Sequence, residues 1–330
     1  MKHSLYISAT SFATNDKSPL ELLERLNIKY EVNESGKKIP PDELADIACD
    51  YDAVIAGTEN LLPLVMKSNK LKLISRIGVG LNSIPLPQCK QKNIKVTYTP
   101  DAVIDSVAEL AVGHILNSIR HVNQLDDAIR NGNWKRILGN TVNQSTIGIV
   151  GFGRIARRVR ELVLPFKPSR LLIHELDKVN DLEADSANSG ILQQQVKLDY
   201  LFRESDIITL HLPLTKDTVG LINKSSLALM KDTAFLINTS RGGIINENEL
   251  YQSLADNKLS GAALDVFENE PYSGKLLGLK NILLTSHVGS YTDTCRARME
   301  LEAVEDVIRF FKDETLQSPV PDSEFESNSI

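Results

Sequence analysis

Short apolar runs alternate with amphipathic stretches along nearly the whole chain, and this alternation limits the fold more than any other feature of the sequence. Strands separated by helical stretches are typical of βαβ units, in which neighbouring strands run parallel. The sequence therefore predicts an α/β fold. The predicted strands lie at residues 5–9, 53–56, 71–77, 94–96, 146–150, 171–173, 207–210, 234–237, 262–264 and 282–284.

Two long helical patterns interrupt the alternation and divide the chain. In residues 103–121 the apolar side chains fall at helical spacing, which predicts one long and largely buried helix. Residues 292–312 show a second such pattern. The α/β runs before and after the first helix differ in length, so we predict two unequal domains, for which 330 residues are sufficient. The polar and acidic residues 313–330 are expected to form a mobile tail.

Composition and charge exclude several classes of protein. Hydrophobic residues make up 42% of the chain and charged residues 24%, which is typical of a folded soluble protein and excludes a disordered or collagen-like one. The net charge of −6 comes without a basic stripe, so no nucleic-acid partner is expected. The apolar runs are far shorter than the about 20 residues of a membrane span, and no signal peptide is recognisable. The three cysteines lie far apart without zinc-ligand spacing, which predicts a cytoplasmic protein with no metal site.

A glycine-rich turn follows the predicted strand at residues 146–150 and opens a predicted helix. In the segment TIGIVGFGRIA, Gly151 permits a tight turn and Gly153 allows the backbone to approach a pyrophosphate closely. The N–H groups of Arg154 and Ile155 lie at the positive end of the helix, where an anion is favoured. This strand, turn and helix predict a dinucleotide site; the alternative is an ordinary βαβ turn whose glycines serve packing.

An acidic residue follows the next predicted strand, as the dinucleotide fingerprint requires. Glu175 is expected to accept hydrogen bonds from the adenosine ribose hydroxyls and to repel a 2′-phosphate, so the sequence favours NAD over NADP. Lys178 lies nearby and weakens that preference. Ala156 replaces the third glycine of the fingerprint, which is a tolerated variant.

Polar side chains follow three predicted strands in the C-terminal half of the chain. Because the carboxyl ends of parallel strands share one edge of the sheet, these loops are expected to converge on the cofactor. They are NTSRGG at residues 238–243, DVFENEP at residues 265–271 and TSHVGS at residues 285–290.

With these loops, the chain resembles the D-isomer-specific 2-hydroxyacid dehydrogenases, and within them the D-3-phosphoglycerate-dehydrogenase-like branch. The matching segments follow one another in the order and spacing of that family over roughly residues 50–312. They are ISRIGVGLNSI (74–84), SVAELAVG (106–113), GIVGFGRIA (148–156), DIITLHLPLTKDTVGLIN (206–223), ALMKDTAFLINTSRGGIINENEL (228–250), GAALDVFENEP (261–271) and HVGS (287–290).

The resemblance implies an architecture of two Rossmann-like domains, each a doubly wound parallel sheet, with the cofactor domain inserted into the substrate domain. Residues 101–289 are then the NAD-binding Rossmann domain. Residues 1–100 together with 290–330 are the substrate-binding domain. The resemblance also implies a homodimer formed through the cofactor domains.

Three catalytic residues are implied in the strand-end loops. Reduction of a 2-oxoacid requires a hydride donor, a cation for the carboxylate and carbonyl oxygens, and a proton donor. Arg241 corresponds to the family arginine, whose planar fork binds the carboxylate and polarises the carbonyl. His287 corresponds to the family acid and base, and Glu270 to the carboxylate that orients its ring.

Further contacts are implied by position in the family. Asp265 is expected to hold the nicotinamide side of the cofactor. The backbone of Val79 and Gly80 is expected to bind the substrate together with Arg241 and His287, and Val79 also lies near the nicotinamide. The remaining expected cofactor contacts are Leu212 and Pro213 at the adenosine, Thr239 and Ser240 at the nicotinamide ribose, and Gly289.

These features predict an NAD-dependent D-2-hydroxyacid dehydrogenase and leave two alternatives open. The family contains corepressors that use the same fold as an NAD(H)-responsive protein-binding module. An NADP-linked glyoxylate or hydroxypyruvate reductase is favoured if Lys178 contacts a phosphate. No arginine lies around residues 57–59, where phosphoglycerate-specific members often place basic residues, so phosphorylated and unphosphorylated substrates both remain open.

Other polar residues near these motifs are interpreted as structural. His114 and His121 lie in the predicted long helix, where packing in the core or at an interface is expected. His211 is interpreted as packed at the end of its strand. Ser286 stands where the family usually has proline, which changes the loop before His287 without removing the imidazole.

Overall fold

Two compact units make up the chain in a computed structural model that describes residues 3–180 and 182–326. The second unit is the continuous segment Ile104–Gly289, and the first unit consists of the described residues before and after it. Each unit contains one sheet in which all paired strands are parallel. The prediction of two parallel-sheet α/β domains is therefore confirmed.

The N-terminal part of the first unit supplies its sheet. The strand order is β2-β1-β3-β4-β5, which is a doubly wound arrangement. The strands are β1 (Ser4–Ile7), β2 (Lys29–Val32), β3 (Ala53–Ala56), β4 (Leu73–Arg76) and β5 (Lys95–Tyr98), and the helices between them are α1 (Ser18–Arg25), α2 (Pro41–Ala48), α3 (Leu62–Lys67) and α4 (Leu86–Gln91).

The second unit begins with two helices and continues as a regular alternation. Its elements are α5 (Ile104–Arg120), α6 (Val122–Arg130), β6 (Thr146–Val150), α7 (Arg154–Val163), β7 (Arg170–His174), α8 (Leu182–Ser189), β8 (Leu192–Gln195), α9 (Leu198–Glu204), β9 (Ile207–Leu210), α10 (Lys224–Leu227), β10 (Phe235–Asn238), α11 (Glu247–Ala255), β11 (Gly261–Leu264) and β12 (Ile282–Leu284). The sheet order is β12-β11-β10-β9-β6-β7-β8. The order reverses between β6 and β9, which is where open α/β sheets bind ligands.

Apolar packing covers both faces of the second sheet. On one face, Ile147 and Ile149 of β6 pack with Ala111 and Ile115 of α5 in one buried cluster. On the other face, Val150 and residues of β9 and β10 belong to a second buried cluster. This burial explains why the central strands are continuous apolar runs and why α5 is the long, largely buried helix that the periodicity predicts.

The chain returns to the first unit through its last two helices, α12 (Asp293–Phe311) and α13 (Asp322–Glu326). Thr292 caps α12, since its side chain accepts a hydrogen bond from the backbone N–H of Cys295. Ser75 on β4 donates a hydrogen bond to the carbonyl oxygen of Ala303 at 3.0 Å, which ties α12 to the sheet.

The expected mobile tail at residues 313–330 differs from the structure in residues 317–320. The carboxylate of Asp306 accepts hydrogen bonds from the backbone N–H groups of Gln317 and Ser318. Val320 is 5% exposed and donates its N–H to the carbonyl oxygen of Val96 on the edge strand β5. The segment covers an open sheet edge and buries an apolar side chain, and composition alone does not reveal either contribution. Residues 327–330 lie outside the described residues.

Two strands were not predicted from the sequence. The edge strand β2 is exposed or half-buried at every position. The other is β8, of sequence LQQQ, which lies at the opposite end of the second sheet. Edge strands bury little surface, so their sequences carry no continuous apolar run. Among the described helices, none is long and apolar enough to cross a membrane.

Candidate active site

The glycine-rich turn joins β6 to α7 at the edge of the sheet where its strands end. Gly151 has φ +83°, and a Cβ atom there would lie 2.5 Å from the carbonyl oxygen of His211, so only glycine fits. Gly153 precedes α7, and a Cβ atom there would meet no atom within 4 Å. Arg154 and Ile155 then form the first turn of this ten-residue helix. The turn therefore offers open space beside the backbone N–H groups of a helix N-terminus, which fits a pyrophosphate.

Glu175 lies beside that turn. Its carboxylate accepts hydrogen bonds from the backbone N–H of Phe152 at 2.7 Å and of Leu176 at 2.8 Å. The ring of the neighbouring His174 makes a different contact: its Nδ1 is hydrogen-bonded to the carbonyl oxygen of Val196 at 3.1 Å. The side chain of Glu175 therefore contacts the predicted phosphate-binding turn, whereas His174 contacts it through its backbone carbonyl oxygen, which accepts the N–H of Gly151 at 2.8 Å.

Arg241 lies in the loop after β10, which Asn238 organises. The Asn238 side chain accepts hydrogen bonds from the N–H and the hydroxyl of Ser240 and donates one to the carbonyl oxygen of Arg241. Burial lowers the pKa of the Arg241 guanidinium from its ordinary value, and the charge of Glu270 opposes this shift. The group stays cationic at neutral pH because arginine loses its proton only under strongly basic conditions.

The loops that carry Arg241 and Glu270 touch each other. A Cβ atom at Gly242 would lie 1.8 Å from the carbonyl oxygen of Phe267, so the two backbones approach as closely as glycine permits. Glu270 Oε1 accepts a hydrogen bond from the N–H of Phe267 at 3.1 Å, which fixes the carboxylate.

Glu270 in turn contacts His287. Its Oε2 lies 2.8 Å from Nδ1 of the imidazole, and both side chains are partly exposed. This bond uses Nδ1, so Nε2 is the ring nitrogen left for proton exchange with a substrate. His287 itself has φ 54°, a left-handed conformation that is uncommon for a residue with a Cβ atom. A carboxylate that orients an imidazole in this way is the arrangement that general acid and base catalysis requires.

Asp265 holds the backbone around His287. Its side chain accepts hydrogen bonds from the N–H groups of Val288 at 2.9 Å and Gly289 at 2.8 Å, and its carbonyl oxygen accepts the N–H of His287 at 2.8 Å. It also accepts the hydroxyl proton of Thr285 at 2.6 Å. The family resemblance implied a cofactor contact for Asp265, and the structure shows in addition that this 1% exposed residue organises the loop that carries His287.

The other predicted cofactor residues also lie at the carboxyl edge of the second sheet. Leu212 packs on the glycine turn, since a Cβ atom at Gly151 would lie 2.8 Å from its Cδ2. Pro213 accepts the Thr218 hydroxyl on its carbonyl oxygen at 2.6 Å. Thr239 Oγ1 is buried without a hydrogen-bond partner in the described part of the chain. A buried hydroxyl with an unmet hydrogen bond fits a site that a polar ligand completes.

Val79 and Gly80 lie in the first unit, in the turn that follows β4, and both are partly exposed. Gly78 before them has φ +124°, which requires glycine, and donates its N–H to Thr99 Oγ1 at 2.7 Å. The carbonyl oxygen of Gly80 accepts a hydrogen bond from Arg76 at 3.0 Å. This turn is therefore held in a fixed conformation at the end of its strand.

Thr285 and His114 are polar residues near the site to which the sequence analysis assigned no functional role. Thr285 joins Asp265 to His114, whose Nε2 lies 3.2 Å from the Thr285 hydroxyl oxygen. The position of Thr285 in a strand-end loop could have indicated a role at the site. Nothing in the sequence distinguishes His114 from a histidine that is simply packed in a buried helix. His211 is bonded to Thr209 at 2.9 Å, and desolvation lowers its pKa to about 4, in line with a packed neutral ring. In the described ranges, no three His, Cys, Asp or Glu side chains are grouped as metal ligands.

Known proteins are similar to this chain over most of its length. The family model for the NAD-binding domain of D-isomer-specific 2-hydroxyacid dehydrogenases matches residues 112–289. Hydroxypyruvate reductase of Thermotoga maritima is 35% identical over 303 residues, covering 89% of this chain and 96% of the relative. Glyoxylate reductase of Pyrococcus horikoshii is 34% identical over 307 residues, covering 88% and 90%. The crystal structure of D-lactate dehydrogenase from Aquifex aeolicus with NAD and lactic acid matches with a TM-score of 0.80 and 29% identity, covering 94% and 96%.

Proposed function

Because this chain belongs to the D-isomer-specific 2-hydroxyacid dehydrogenase family and is thus a nicotinamide-dependent oxidoreductase of 2-hydroxyacids, we propose that it uses NAD and reduces a small 2-oxoacid. The observation that carries the proposal is the His287–Glu270 pair at 2.8 Å, in loops that follow neighbouring strands of a dinucleotide-binding sheet. Relatives named for hydroxypyruvate and glyoxylate reduction support substrates of that size. No arginine lies around residues 57–59, which favours an unphosphorylated acid.

The cofactor is assigned to the glycine turn and the loops beside it. The N–H groups of Arg154 and Ile155 would bind the pyrophosphate, Glu175 the adenosine ribose, and the unpartnered Thr239 hydroxyl the nicotinamide end. When bound, the nicotinamide supplies or accepts the hydride at C2 of the substrate. Leu212, Pro213, Ser240, Asp265 and Gly289 complete the proposed contacts.

The protein's own residues handle charge and the proton. Arg241 binds the substrate carboxylate with its guanidinium fork and polarises the C2 carbonyl, so negative charge that develops on the oxygen is stabilised. His287 delivers a proton from Nε2 to that oxygen during reduction and removes the hydroxyl proton during oxidation. Glu270 fixes the orientation of the ring through Nδ1. The N–H groups of Val79 and Gly80 are assigned to the substrate carboxylate from the substrate-binding domain.

Initial rates with a panel of 2-oxoacids test this function. Glyoxylate, hydroxypyruvate and pyruvate, together with phosphohydroxypyruvate, are offered with NADH and with NADPH. We expect saturable turnover with NADH and at least one unphosphorylated acid. NADH binding without turnover of any panel member would instead favour the corepressor-like sensor, and exclusive use of NADPH would favour the NADP-linked reductase.

The choice between NAD and NADP depends on the charge of Glu175. Glu175→Gln keeps an acceptor for the Phe152 N–H but removes the negative charge that repels a 2′-phosphate. We expect kcat/KM with NADPH to rise about tenfold relative to that with NADH, equivalent to about 1.4 kcal/mol. Asp177→Asn, which removes an exposed carboxylate two residues further on, serves as the matched control. An unchanged ratio in Glu175→Gln would remove Glu175 from the ribose site.

We also propose a homodimer formed through the second unit. Large apolar side chains are exposed in and after α6: Trp134 is 82% exposed, Leu138 97%, Ile129 52% and Val122 48%. All four lie between residues 122 and 138 of the chain, and apolar surface exposed in one region marks an interaction surface.

The three cysteines are free thiols, which favours a reducing compartment such as the cytoplasm.

Introducing charge on this surface tests the dimer. Leu138→Asp combined with Trp134→Asp is expected to halve the mass measured by sedimentation at micromolar concentration, because each buried side chain contributes about 1.5–3 kcal/mol to association. Leu192→Asp is the control. Leu192 is 49% exposed and lies on the edge strand β8, at the opposite end of the sheet from β12, whose Ile282 carbonyl oxygen accepts a hydrogen bond from Asn123 of α6. A monomeric wild type, or a double variant that stays dimeric, would contradict this interface.

A further inference from the structure

His114 lies in the middle of α5, on its buried side, and reaches the loop that carries the catalytic histidine. The residue is 3% exposed, and its Nε2 lies 3.2 Å from the hydroxyl oxygen of Thr285. Thr285 begins the His287 loop, which we define as residues 285–289. Burying a polar ring lowers the stability of the fold unless the ring is hydrogen-bonded. The contact with Thr285 therefore compensates for the burial of His114.

The direction of this hydrogen bond follows from the number of protons available. The Thr285 hydroxyl has one proton and donates it to Asp265 Oδ1 at 2.6 Å. Its remaining capacity is that of an acceptor, so the bond to His114 requires a proton on Nε2 of the ring. Burial lowers the pKa of His114, with the charge of Asp265 opposing the shift, so the ring is neutral at neutral pH and carries its single proton on Nε2.

Asp265 in turn is hydrogen-bonded to the backbone of the His287 loop. Its two carboxylate oxygens and its carbonyl oxygen together accept the N–H groups of His287, Val288 and Gly289. A Cβ atom at Gly289 would lie 3.1 Å from Asp265 Oδ2, so the loop packs tightly on this carboxylate. Ser106, at the start of α5, also donates to the carbonyl oxygen of Gly289 at 2.6 Å.

The loop needs such support because of the conformation of His287. A non-glycine residue with φ 54° is held there by its surroundings, since left-handed backbone carries a strain cost outside glycine. In that conformation its imidazole Nδ1 lies 2.8 Å from Glu270 Oε2. Displacement of a catalytic group by as little as about 1 Å lowers turnover by up to about 10²-fold.

We propose that His114 is a positioning residue for His287: its Nε2–H orients the Thr285 hydroxyl, Thr285 orients the Asp265 carboxylate, and Asp265 holds the backbone of residues 287–289. The proposal rests on the proposed catalytic role of His287. It assigns a part in the reaction to a residue that touches neither substrate nor cofactor. The chain His114–Thr285–Asp265 is called the loop support below.

Three variants at two positions of α5 test the loop support. His114→Leu removes the donor while keeping an apolar volume, and kcat is expected to fall about 10- to 100-fold. His114→Gln retains an N–H near the position of Nε2 and is expected to recover most of that loss. Ser118→Ala is the matched control, because its hydroxyl is buried one turn along the same helix without a hydrogen-bond partner. Wild-type kcat in His114→Leu, or equal losses in the Leu and Gln variants, would overturn the proposal.

A second pair of measurements separates the loop support from folding and from the proposed function. Thr285→Val removes the hydroxyl that joins His114 to Asp265, and so interrupts the same series of hydrogen bonds. The double variant with His114→Leu is therefore expected to lose no more activity than either single variant. Amide hydrogen exchange at residues 287–289 needs no substrate and is expected to accelerate in both single variants but not in Ser118→Ala. Unchanged exchange refutes the loop support even if the enzyme is inactive on every acid tested. Inactive wild type with accelerated exchange in the variants refutes only the proposed function.

Discussion

Replacing His287 with asparagine is expected to lower kcat by about 10²- to 10⁴-fold, the usual contribution of a positioned general acid and base. Asparagine tolerates the left-handed backbone that His287 adopts at φ 54°, so the loop keeps its conformation while the transferable proton is lost. The Kd for NADH, measured by fluorescence titration, is expected to stay the same. Initial rates at saturating NADH and 2-oxoacid measure the effect.

His121→Asn is the matched control for this substitution. His121 is also a histidine with φ 54° in the same unit, but it lies between α5 and α6 and outside the strand-end loops. We expect its kcat to equal that of the wild type. If His287→Asn kept the wild-type rate, His287 would not be the proton donor, and the strand-end loops would have lost their main catalytic assignment.

Replacing Arg241 with alanine is expected to lower kcat/KM for the 2-oxoacid by about 10²- to 10³-fold, equivalent to roughly 3–4 kcal/mol. Both parameters change, because the guanidinium binds the carboxylate in the ground state and stabilises the oxygen in the transition state. The kcat/KM of Arg241→Lys is expected to lie between those of the wild type and Arg241→Ala, since lysine keeps the charge but not the planar fork.

The control for Arg241 is Arg158→Ala on the surface of α7. Arg158 pairs with Asp105 and Glu161 in exposed ion pairs, which contribute little to stability and nothing to the proposed site. Its kinetic constants are expected to match those of the wild type. If Arg241→Ala raised neither KM nor the barrier, the substrate carboxylate would have to be bound by another group.

The features that were predicted correctly share a physical cause. Central parallel strands are buried on both faces, so their apolar runs are visible in the sequence. Functional loops follow the carboxyl ends of such strands, which is why the loops with Arg241, Glu270 and His287 could be identified before the fold was known. The pairing of His287 with Glu270, implied by family resemblance, is present as a hydrogen bond of 2.8 Å.

The features that were missed depend on contacts that no local pattern encodes. The edge strands β2 and β8 bury too little surface to show an apolar run. Residues 317–320 contain no apolar run, and only their contacts with Asp306 and Val96 in the folded chain show that they are part of the first unit. His114 is 171 residues from Thr285 in the chain, so a helix pattern identifies its buried face but not its partner.

Asp265 has one feature that the sequence predicted and one that it did not. Family position implied a contact with the nicotinamide, and the residue does lie at the end of β11 in the predicted loop. Its four hydrogen bonds to Thr285 and to the backbone of residues 287–289 follow only from the folded loop. The same carboxylate therefore supports the backbone of His287, the proposed acid and base, and remains a proposed cofactor contact.

The most direct test of the central claim is the reaction of the wild-type protein with NADH and hydroxypyruvate, followed by NADH absorbance and by the handedness of the product. We expect saturable NADH oxidation with kcat in the usual enzyme range of about 1–10³ s⁻¹ and formation of the D-hydroxyacid. Bound NADH without oxidation of hydroxypyruvate, glyoxylate or any other 2-oxoacid of the panel would contradict the account, and so would an L-hydroxyacid product.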